Sequence, residues 1–186
     1  MNLTEKSNKK IIVEMWADYM CPLCYIGKTN LETALDEFKY KEDIEVSYRP
    51  FQLYPKAPLN KERNYYEYTS GTHNNISVDY LREANAKIVA MAKSIGLNYD
   101  LDRLIPTNTT DALRITLYAK GKGKDKEFST KIYSAYFEKG LDIGDERTLT
   151  NIGAEIGLNS EEILKILKTD HYKNELNESR LIAESI

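Results

Sequence analysis

The sequence has only two cysteines in 186 residues, and both belong to one short motif, Cys21-Pro22-Leu23-Cys24. Structural disulfide frameworks use several cysteines spread along the chain, so this pair is not part of one. A disulfide inside so short a loop would also remove little entropy from the unfolded chain. The pair instead indicates reversible redox chemistry in a reducing compartment.

The sequence also lacks a long apolar run and a basic stretch. No segment is apolar enough to cross a bilayer, and acidic and basic residues, with a formal net charge of -3, are mixed along the chain. We therefore expect neither a membrane protein nor a nucleic-acid-binding protein. Residues 1–10 are polar and lack the apolar core of a secretory signal, which predicts a cytoplasmic protein. A mature chain whose signal had been removed would look similar.

Histidine is scarce as well, since His73 and His171 are the only two and lie in unrelated segments. A structural zinc site requires four ligands, so Cys21 and Cys24 could form one only together with these two distant histidines. A second alternative is that both cysteines are buried and inert. The position of the motif, between a strand and a helix, favours redox chemistry over both. We expect no metal and no cofactor.

The first fifty residues predict a β-α-β unit. Residues 11–16 are β-rich and mostly apolar, as in a buried strand, and residues 44–49 alternate until Pro50 ends the second strand. Between them, apolar residues recur at helical spacing from Pro22 onward. Because proline is well tolerated in the first helical turn, Cys21 is predicted at or just before a helix N-terminus. A helical crossover implies parallel strands.

Helical patterns dominate the remainder of the chain. Residues 51–71 are predicted to form a proline- and tyrosine-rich connection. Ser77 is a candidate N-cap for a helix that runs towards Gly96. Further helices are predicted at about 111–119, 126–138, 148–156, 160–167 and 174–186. The simplest arrangement is an all-helical insertion packed over the start of an α/β fold.

A helix start suits Cys21 to nucleophilic chemistry. Free N–H groups and the helix dipole favour a thiolate there, which should lower the thiol pKa from about 8.5 to about 3.5–7.5. Cys24 lies one turn deeper and should be more buried, so Cys21 is the predicted nucleophile and Cys24 the resolving thiol. Pro22 and Leu23 donate no side-chain hydrogen bond. We therefore expect a less oxidising centre than a Cys-Pro-His-Cys one.

Two acidic residues are candidates for moving protons to and from Cys24. Glu14 lies in the predicted buried strand, where a charge is costly without a task or partner, and Asp18 lies in the loop before Cys21. The alternative for Glu14 is a solvent-exposed position at the sheet edge.

Residues 16–27 resemble the active-site segment of the DsbA-family thiol–disulfide oxidoreductases, in particular the FrnE-like branch. Gly27-Lys28 fits the pattern of that branch, whereas Leu23 replaces its usual tryptophan. Three further segments resemble the family in the same order along the chain: 49–55, 106–112 and 136–143. Leu113 follows where the family commonly has a histidine.

The resemblance implies an α/β, thioredoxin-like β-α-β unit with a large all-helical insertion. The expected divisions are residues 1–60 for the thioredoxin-like unit, 61–170 for the insertion and 171–186 for a helix that leads back. It also implies dithiol–disulfide exchange with protein or small-molecule thiols and disulfides.

One departure from the family concerns the C-terminal strands. A cis-proline loop, two antiparallel strands and a closing helix would follow the helix that contains residues 180–186, and the chain lacks them. The chain is then a truncated product, or it completes its sheet as a homo-oligomer or with a second chain, or it is a relic with weakened activity. We expect intact thiol chemistry but poor substrate handling.

Three functions remain open from the sequence. The first is a dithiol–disulfide oxidoreductase or isomerase, and the second is a glutathione-using isomerase or transferase, whose members usually have serine at the reactive position. The third is a non-catalytic, redox-binding partner subunit. The substrate, the redox partner and the direction of electron flow are not predicted.

Overall fold

The computed structural model describes residues 10–57, 64–72 and 76–186. These residues form a mixed α/β fold with two strands, β1 (Ile11–Ala17) and β2 (Ile44–Pro50). The helices are α1 (Pro22–Glu37), α2 (Tyr65–Thr72), α3 (Val78–Ser94), α4 (Thr110–Gly121), α5 (Asp125–Phe137), α6 (Glu146–Glu155), α7 (Ser160–Leu167) and α8 (Lys173–Glu184). The fold class predicted from the sequence, a β-α-β unit with a helical insertion, is confirmed.

Strands β1 and β2 pair in parallel, in a register that runs from Ile11 opposite Ile44 to Ala17 opposite Pro50. Helix α1 connects them, as the sequence predicted. The prediction that β1 is buried is wrong for its first half, because Ile11 and Ile12 are 64% and 62% exposed. A two-stranded sheet is too narrow to bury both of its faces, and within the described residues only β2 pairs with β1.

The main core lies among the helices rather than on the sheet. Its fully buried apolar side chains come chiefly from α4 to α7 and the turns between them: Ile115, Phe128, Ile132, Tyr136, Phe137, Ile143, Leu149 and Ile163. Burial of each such side chain stabilises the fold by about 1.5–3 kcal/mol. The helical insertion therefore provides a packed base for the β-α-β unit. The expected boundary between residues 60 and 61 falls outside the described residues.

Helix starts agree well with the capping signals. The side chains of Ser77 and Asn159 accept hydrogen bonds from the Tyr80 and Glu162 N–H groups, at 3.2 and 3.0 Å. These caps confirm the predicted starts of α3 and α7. Helix α6 begins two residues earlier than predicted because Asp145 caps it.

Helix α2 corrects the sequence interpretation, which assigned residues 51–71 to a connection. Tyr65, Tyr66 and Tyr68 are at least nine-tenths buried, so their packing stabilises a short helix that local propensity does not favour.

Within the described ranges, no helix has both the length and the apolar character needed to cross a membrane. The expectation about a secretory signal concerns residues 1–10, of which residues 1–9 are not described, and His73 belongs to residues 73–75. Residues 1–9 and 73–75 lie outside the part of the chain that the structure describes.

Candidate active site

Cys21 lies at the junction between β1 and α1, where it is the N-cap residue of the helix. Its backbone is extended, with φ -88° and ψ 110°, and Pro22 occupies the first helical turn. The Cys21 N–H donates to the carbonyl of Asp18, and the Cys24 N–H donates to the carbonyl of Cys21, both at 3.1 Å. The predicted position of Cys21 at a helix start is confirmed.

The two sulfurs are not joined by a disulfide, and they interact as a thiol pair. A hydrogen bond from the Cys24 thiol lowers the pKa of Cys21 to about 7, with help from the Cys24 and Leu23 N–H groups and against the effect of burial. The same hydrogen bond, together with burial, raises the pKa of Cys24. The first turn of α1 carries no acidic residue to oppose a thiolate. Cys21 is therefore the thiol that ionises first.

The solvent exposure of Cys21 and Cys24 differs less than the sequence predicted. Cys21 and Cys24 are both half-buried, so the predicted greater burial of Cys24 is not evident from exposure alone. Their surroundings differ, because Cys24 packs against the main core. Leu23 is 51% exposed, which places an apolar side chain at the surface beside the reactive sulfur.

Asp18 is buried, with only 1% of its surface exposed, and its backbone carbonyl accepts the hydrogen bond from the Cys21 N–H group. Its carboxylate accepts hydrogen bonds from the Leu53 N–H at 2.7 Å and from the Met20 N–H at 3.4 Å. Burial nevertheless raises the pKa of this carboxyl group, because the charged form loses hydration. The charge of Asp18 acts against ionisation of both cysteines, although the Cys24 hydrogen bond outweighs it and the pKa of Cys21 is lowered. Asp18 is thus electrostatically linked to the thiol pair.

Glu14 has a different environment. Its carboxylate pairs with Arg49 on the neighbouring strand, with Oε1 at 2.6 Å from Nη2 and 2.7 Å from Nε. About one third of the Glu14 side chain is exposed. This cross-strand pair agrees with the solvent-edge alternative and commits the carboxylate to Arg49.

An aromatic cluster joins the motif to the helical insertion, with Tyr19 and Tyr25 from the β-α-β unit and Tyr99, Tyr133 and Phe137 from the insertion. The Tyr25 ring stacks on Tyr133 at 4.9 Å, and Tyr99 stacks on Phe137 at 4.8 Å. The Tyr133 hydroxyl donates to the carbonyl of Asp18 at 3.3 Å. Sequence reasoning missed this cluster, since nothing local to residues 99 and 133 points to the distant cysteines.

Trp16 and His171 make contacts with other parts of the chain. The Trp16 indole N–H donates to the carbonyl of Ser179 in α8 at 3.1 Å, which ties β1 to that helix. His171 is exposed and contacts the Thr169 hydroxyl at 2.8 Å. No group of three or more histidine, cysteine, aspartate or glutamate residues suited to a metal ion was found in the described ranges.

Comparison with known proteins adds independent information about the chain. A family model described as a DSBA-like thioredoxin domain matches residues 12–186. The uncharacterized protein YwbO of Bacillus subtilis is 28% identical over 163 residues, which cover 87% of this chain and 74% of YwbO.

Solved structures give the same picture. A probable DsbA oxidoreductase from Streptomyces coelicolor superposes with a TM-score of 0.87 at 25% identity, covering 94% of this chain and 75% of that one. The cytosolic disulfide reductase DsbM from Pseudomonas aeruginosa, solved with glutathione, gives a TM-score of 0.66 at 16% identity. That superposition covers 94% of this chain and 80% of DsbM, and at this identity it shows a shared fold alone.

Proposed function

Because this chain belongs to the family of DSBA-like thioredoxin domains, we propose that it catalyses thiol–disulfide exchange through Cys21 and Cys24. One observation carries the proposal. Cys21 sits at the start of α1 with a pKa lowered to about 7, and the Cys24 thiol lies within hydrogen-bonding reach. A substantial fraction of Cys21 would be thiolate at neutral pH, with a second thiol placed to resolve a mixed disulfide.

The proposed reaction proceeds in two steps when the substrate is reduced. The Cys21 thiolate attacks one sulfur of the substrate disulfide, so a Cys21–substrate bond forms while the second substrate sulfur leaves as a thiolate and takes a proton from water. Cys24 then loses its proton and attacks the sulfur of Cys21. The first substrate thiol leaves, and the two electrons gained by the substrate come from the Cys21–Cys24 pair, which becomes a disulfide.

The second step needs a proton acceptor, because the Cys24 pKa is raised. We assign that role to Asp18, whose burial raises its own pKa and so makes its carboxylate a better acceptor. Glu14 is the weaker candidate because it is paired with Arg49. Pro22 begins the helix, and exposed Leu23 presents an apolar contact to the substrate without donating a hydrogen bond.

The substrates in this proposal are protein or small-molecule disulfides, and the compartment is the cytoplasm. Two free cysteines in a Cys-x-x-Cys motif suit a reducing environment. The cytosolic disulfide reductase DsbM supports the same compartment by its shared fold. We place the chain in the FrnE-like branch on the basis of residues 16–27, and we treat residues 1–60, 61–170 and 171–186 as its functional divisions.

Insulin reduction tests the exchange activity directly. Reduced protein with dithiothreitol should precipitate the insulin B chain faster than dithiothreitol alone, and the Cys21→Ser variant should lose that acceleration. The matched control is Ser94→Ala, which removes an exposed hydroxyl in the last turn of α3. Equal turnover by the wild-type protein and Cys21→Ser would contradict the proposal.

A second candidate function is glutathione-dependent isomerisation or transfer. The shared fold of DsbM, solved with glutathione, and of a 2-hydroxychromene-2-carboxylate isomerase favours it. Calorimetry with glutathione separates the candidates. Tight binding that survives replacement of both cysteines by serine would favour the second one, whereas binding that requires Cys21 would favour disulfide exchange.

We also propose that a strand from a partner chain pairs with the edge of the two-stranded sheet. Ile11 and Ile12 are exposed on β1, and an extended segment from a second copy or another chain could pair beside them. Light scattering tests this arrangement: a dimer that dissociates on Ile12→Lys supports it, and a monomer at all concentrations contradicts self-association.

A further inference from the structure

A groove of about 760 Å³ opens to solvent beside the redox motif. We call it the loop groove, because residues 52–57, the loop after β2, form one wall. Helices α2 and α8 and the start of α4 form the remainder. Its lining residues are Gln52, Leu53, Tyr54, Pro55, Lys56, Ala57, Tyr68, Thr72, Thr110, Lys173, Leu176, Asn177 and Arg180.

The loop groove is fastened to the segment that carries Cys21. The Leu53 N–H donates to the Asp18 carboxylate at 2.7 Å, so its wall and the redox loop share a buried anchor. Met20, the residue before Cys21, packs with Ala57, Tyr68 and Tyr54, which all line the groove. A polypeptide bound in the groove would therefore lie next to the reactive sulfur.

The wall of the groove is held in place before any ligand arrives. The Asn108 side chain donates to the carbonyls of Pro55 and Ala57, at 3.2 and 2.9 Å. Gln52 in turn donates to Asn108 Oδ1 at 3.0 Å and to the Thr110 hydroxyl at 2.8 Å. A preformed wall lowers the entropic cost of binding. Gln52 and Asn108 therefore hold the 52–57 loop in place, although neither residue takes part in disulfide exchange.

The charges along the groove have one sign. Lys56, Lys173 and Arg180 line it, and no aspartate or glutamate does so in the described part of the chain. Lys173 and Arg180 also pair with Asp170 and Glu184, at 2.6 and 3.0 Å. Those pairs are largely exposed and so are weak, which leaves both cations able to turn towards an incoming carboxylate. The apolar side chains between the cations can contact the backbone and the aliphatic side-chain groups of an extended peptide.

We propose that the loop groove binds an extended acidic peptide segment that flanks the disulfide-bonded cysteine of a substrate protein. The proposal gives a substrate class to the exchange reaction and rests on the proposed function for its purpose. Binding itself is independent of thiol chemistry, so the two can be tested separately.

The binding test uses short fluorescein-labelled peptides that carry serine in place of cysteine and are rich either in glutamate or in lysine. Fluorescence anisotropy should show binding of the glutamate peptide only, weakened by added salt. The Lys56→Glu/Lys173→Glu variant should bind about tenfold more weakly, since two favourable charge contacts become repulsive. The control, Lys87→Glu/Lys93→Glu, makes the same change in net charge on exposed positions of α3 and should bind as the wild type does.

A neutral pair of substitutions, Lys56→Gln/Lys173→Gln, should give an intermediate affinity and guards against misfolding of the charge-reversal variant. Equal affinity for the glutamate and the lysine peptide would overturn the assignment of the groove. So would an equal loss of affinity in Lys56→Glu/Lys173→Glu and in the control Lys87→Glu/Lys93→Glu. Binding of glutathione without binding of the glutamate peptide would overturn it as well.

The exchange test uses the same peptides with a cysteine joined to thionitrobenzoate, in a Cys24→Ser background. Attack by Cys21 on the peptide sulfur forms a protein–peptide disulfide and releases coloured thionitrobenzoate. The glutamate peptide should react faster, and Lys56→Glu/Lys173→Glu should abolish the preference. Equal rates alongside equal binding reject the groove and leave exchange intact. Tight binding of the serine peptide without release of thionitrobenzoate supports the groove and rejects exchange.

Discussion

The hydroxyl of Tyr99 donates a hydrogen bond of 2.8 Å to the carbonyl oxygen of Pro22, across 77 positions of sequence. This bond joins Tyr99, in the helical insertion, to the first turn of α1, where the thiol pair lies. Stacking of Tyr99 against Phe137 holds the ring in place. The first turn of α1, where the Cys24 thiol and the helix N–H groups lower the Cys21 pKa, is thus held by a part of the chain far from it in sequence.

Tyr99→Phe keeps the stacked ring and removes only this hydrogen bond. The free energy of unfolding should fall by about 1 kcal/mol, as expected for one partly buried hydrogen bond. Urea denaturation measures the change. The control is Tyr80→Phe, since Tyr80 is 62% exposed and its loss should change the stability by less than about 0.5 kcal/mol. Similar losses in both variants would show that the Tyr99 bond adds nothing.

Lys28 is the buried cation of α1, 1% exposed, and donates to both Glu32 oxygens at 2.8 Å and to Thr130 at 2.7 Å. Lys28→Met should destabilise the protein by about 2–4 kcal/mol, because it leaves Glu32 without its main partner and breaks the bridge to α5. The 66% exposed Lys126, 3.5 Å from the same carboxylate, provides the control. Lys126→Met should cost less than about 1 kcal/mol. Chemical denaturation that ranks the two variants equally would contradict this interpretation.

Asp18→Asn should change how stability depends on pH. Burial raises the Asp18 pKa in the folded state, so the folded protein holds this proton more tightly than the unfolded chain does. The stabilising contribution is then complete below the unfolded pKa of about 3.9 and is lost as pH rises through the folded value. Denaturation from pH 4 to pH 8 should show the wild type losing stability relative to Asp18→Asn. Asp36→Asn, at an exposed position of α1, should follow the wild type, and a parallel pH dependence for Asp18→Asn would reject the raised pKa.

Cys24→Ser should trap the first half of the exchange reaction. When mixed with a small aromatic disulfide, this variant should accumulate a stable adduct on Cys21, whereas Cys21→Ser should react roughly tenfold more slowly or worse, because burial keeps the Cys24 pKa raised. Intact mass and peptide mapping identify the modified residue. Faster adduct formation on Cys24 would reverse the assigned roles.

Local signals explain how much of this site could be predicted from the sequence. Proline directly after Cys21 marks a helix start, so the position of Cys21 was predicted correctly. The β-α-β unit was also predicted correctly, because a continuous apolar run is followed by apolar residues at helical spacing. Helix α2 was missed because buried Tyr65 and Tyr66 stabilise it through contacts with other segments. Tyr99 was missed for the same reason, since its partner Pro22 is remote in sequence. The exposure of Ile11 depends on sheet width, which no property of β1 alone reveals.

The pH dependence of Cys21 alkylation shows directly whether this thiol ionises near neutral pH. Reduced protein is mixed briefly with iodoacetamide at pH values from 5 to 10, and mass spectrometry of the peptide that contains Cys21 gives the rate at that residue. We expect a midpoint at about pH 7, because the Cys24 thiol and the helix start stabilise the Cys21 thiolate. A midpoint at about 8.5, the ordinary value for a free cysteine, would contradict it.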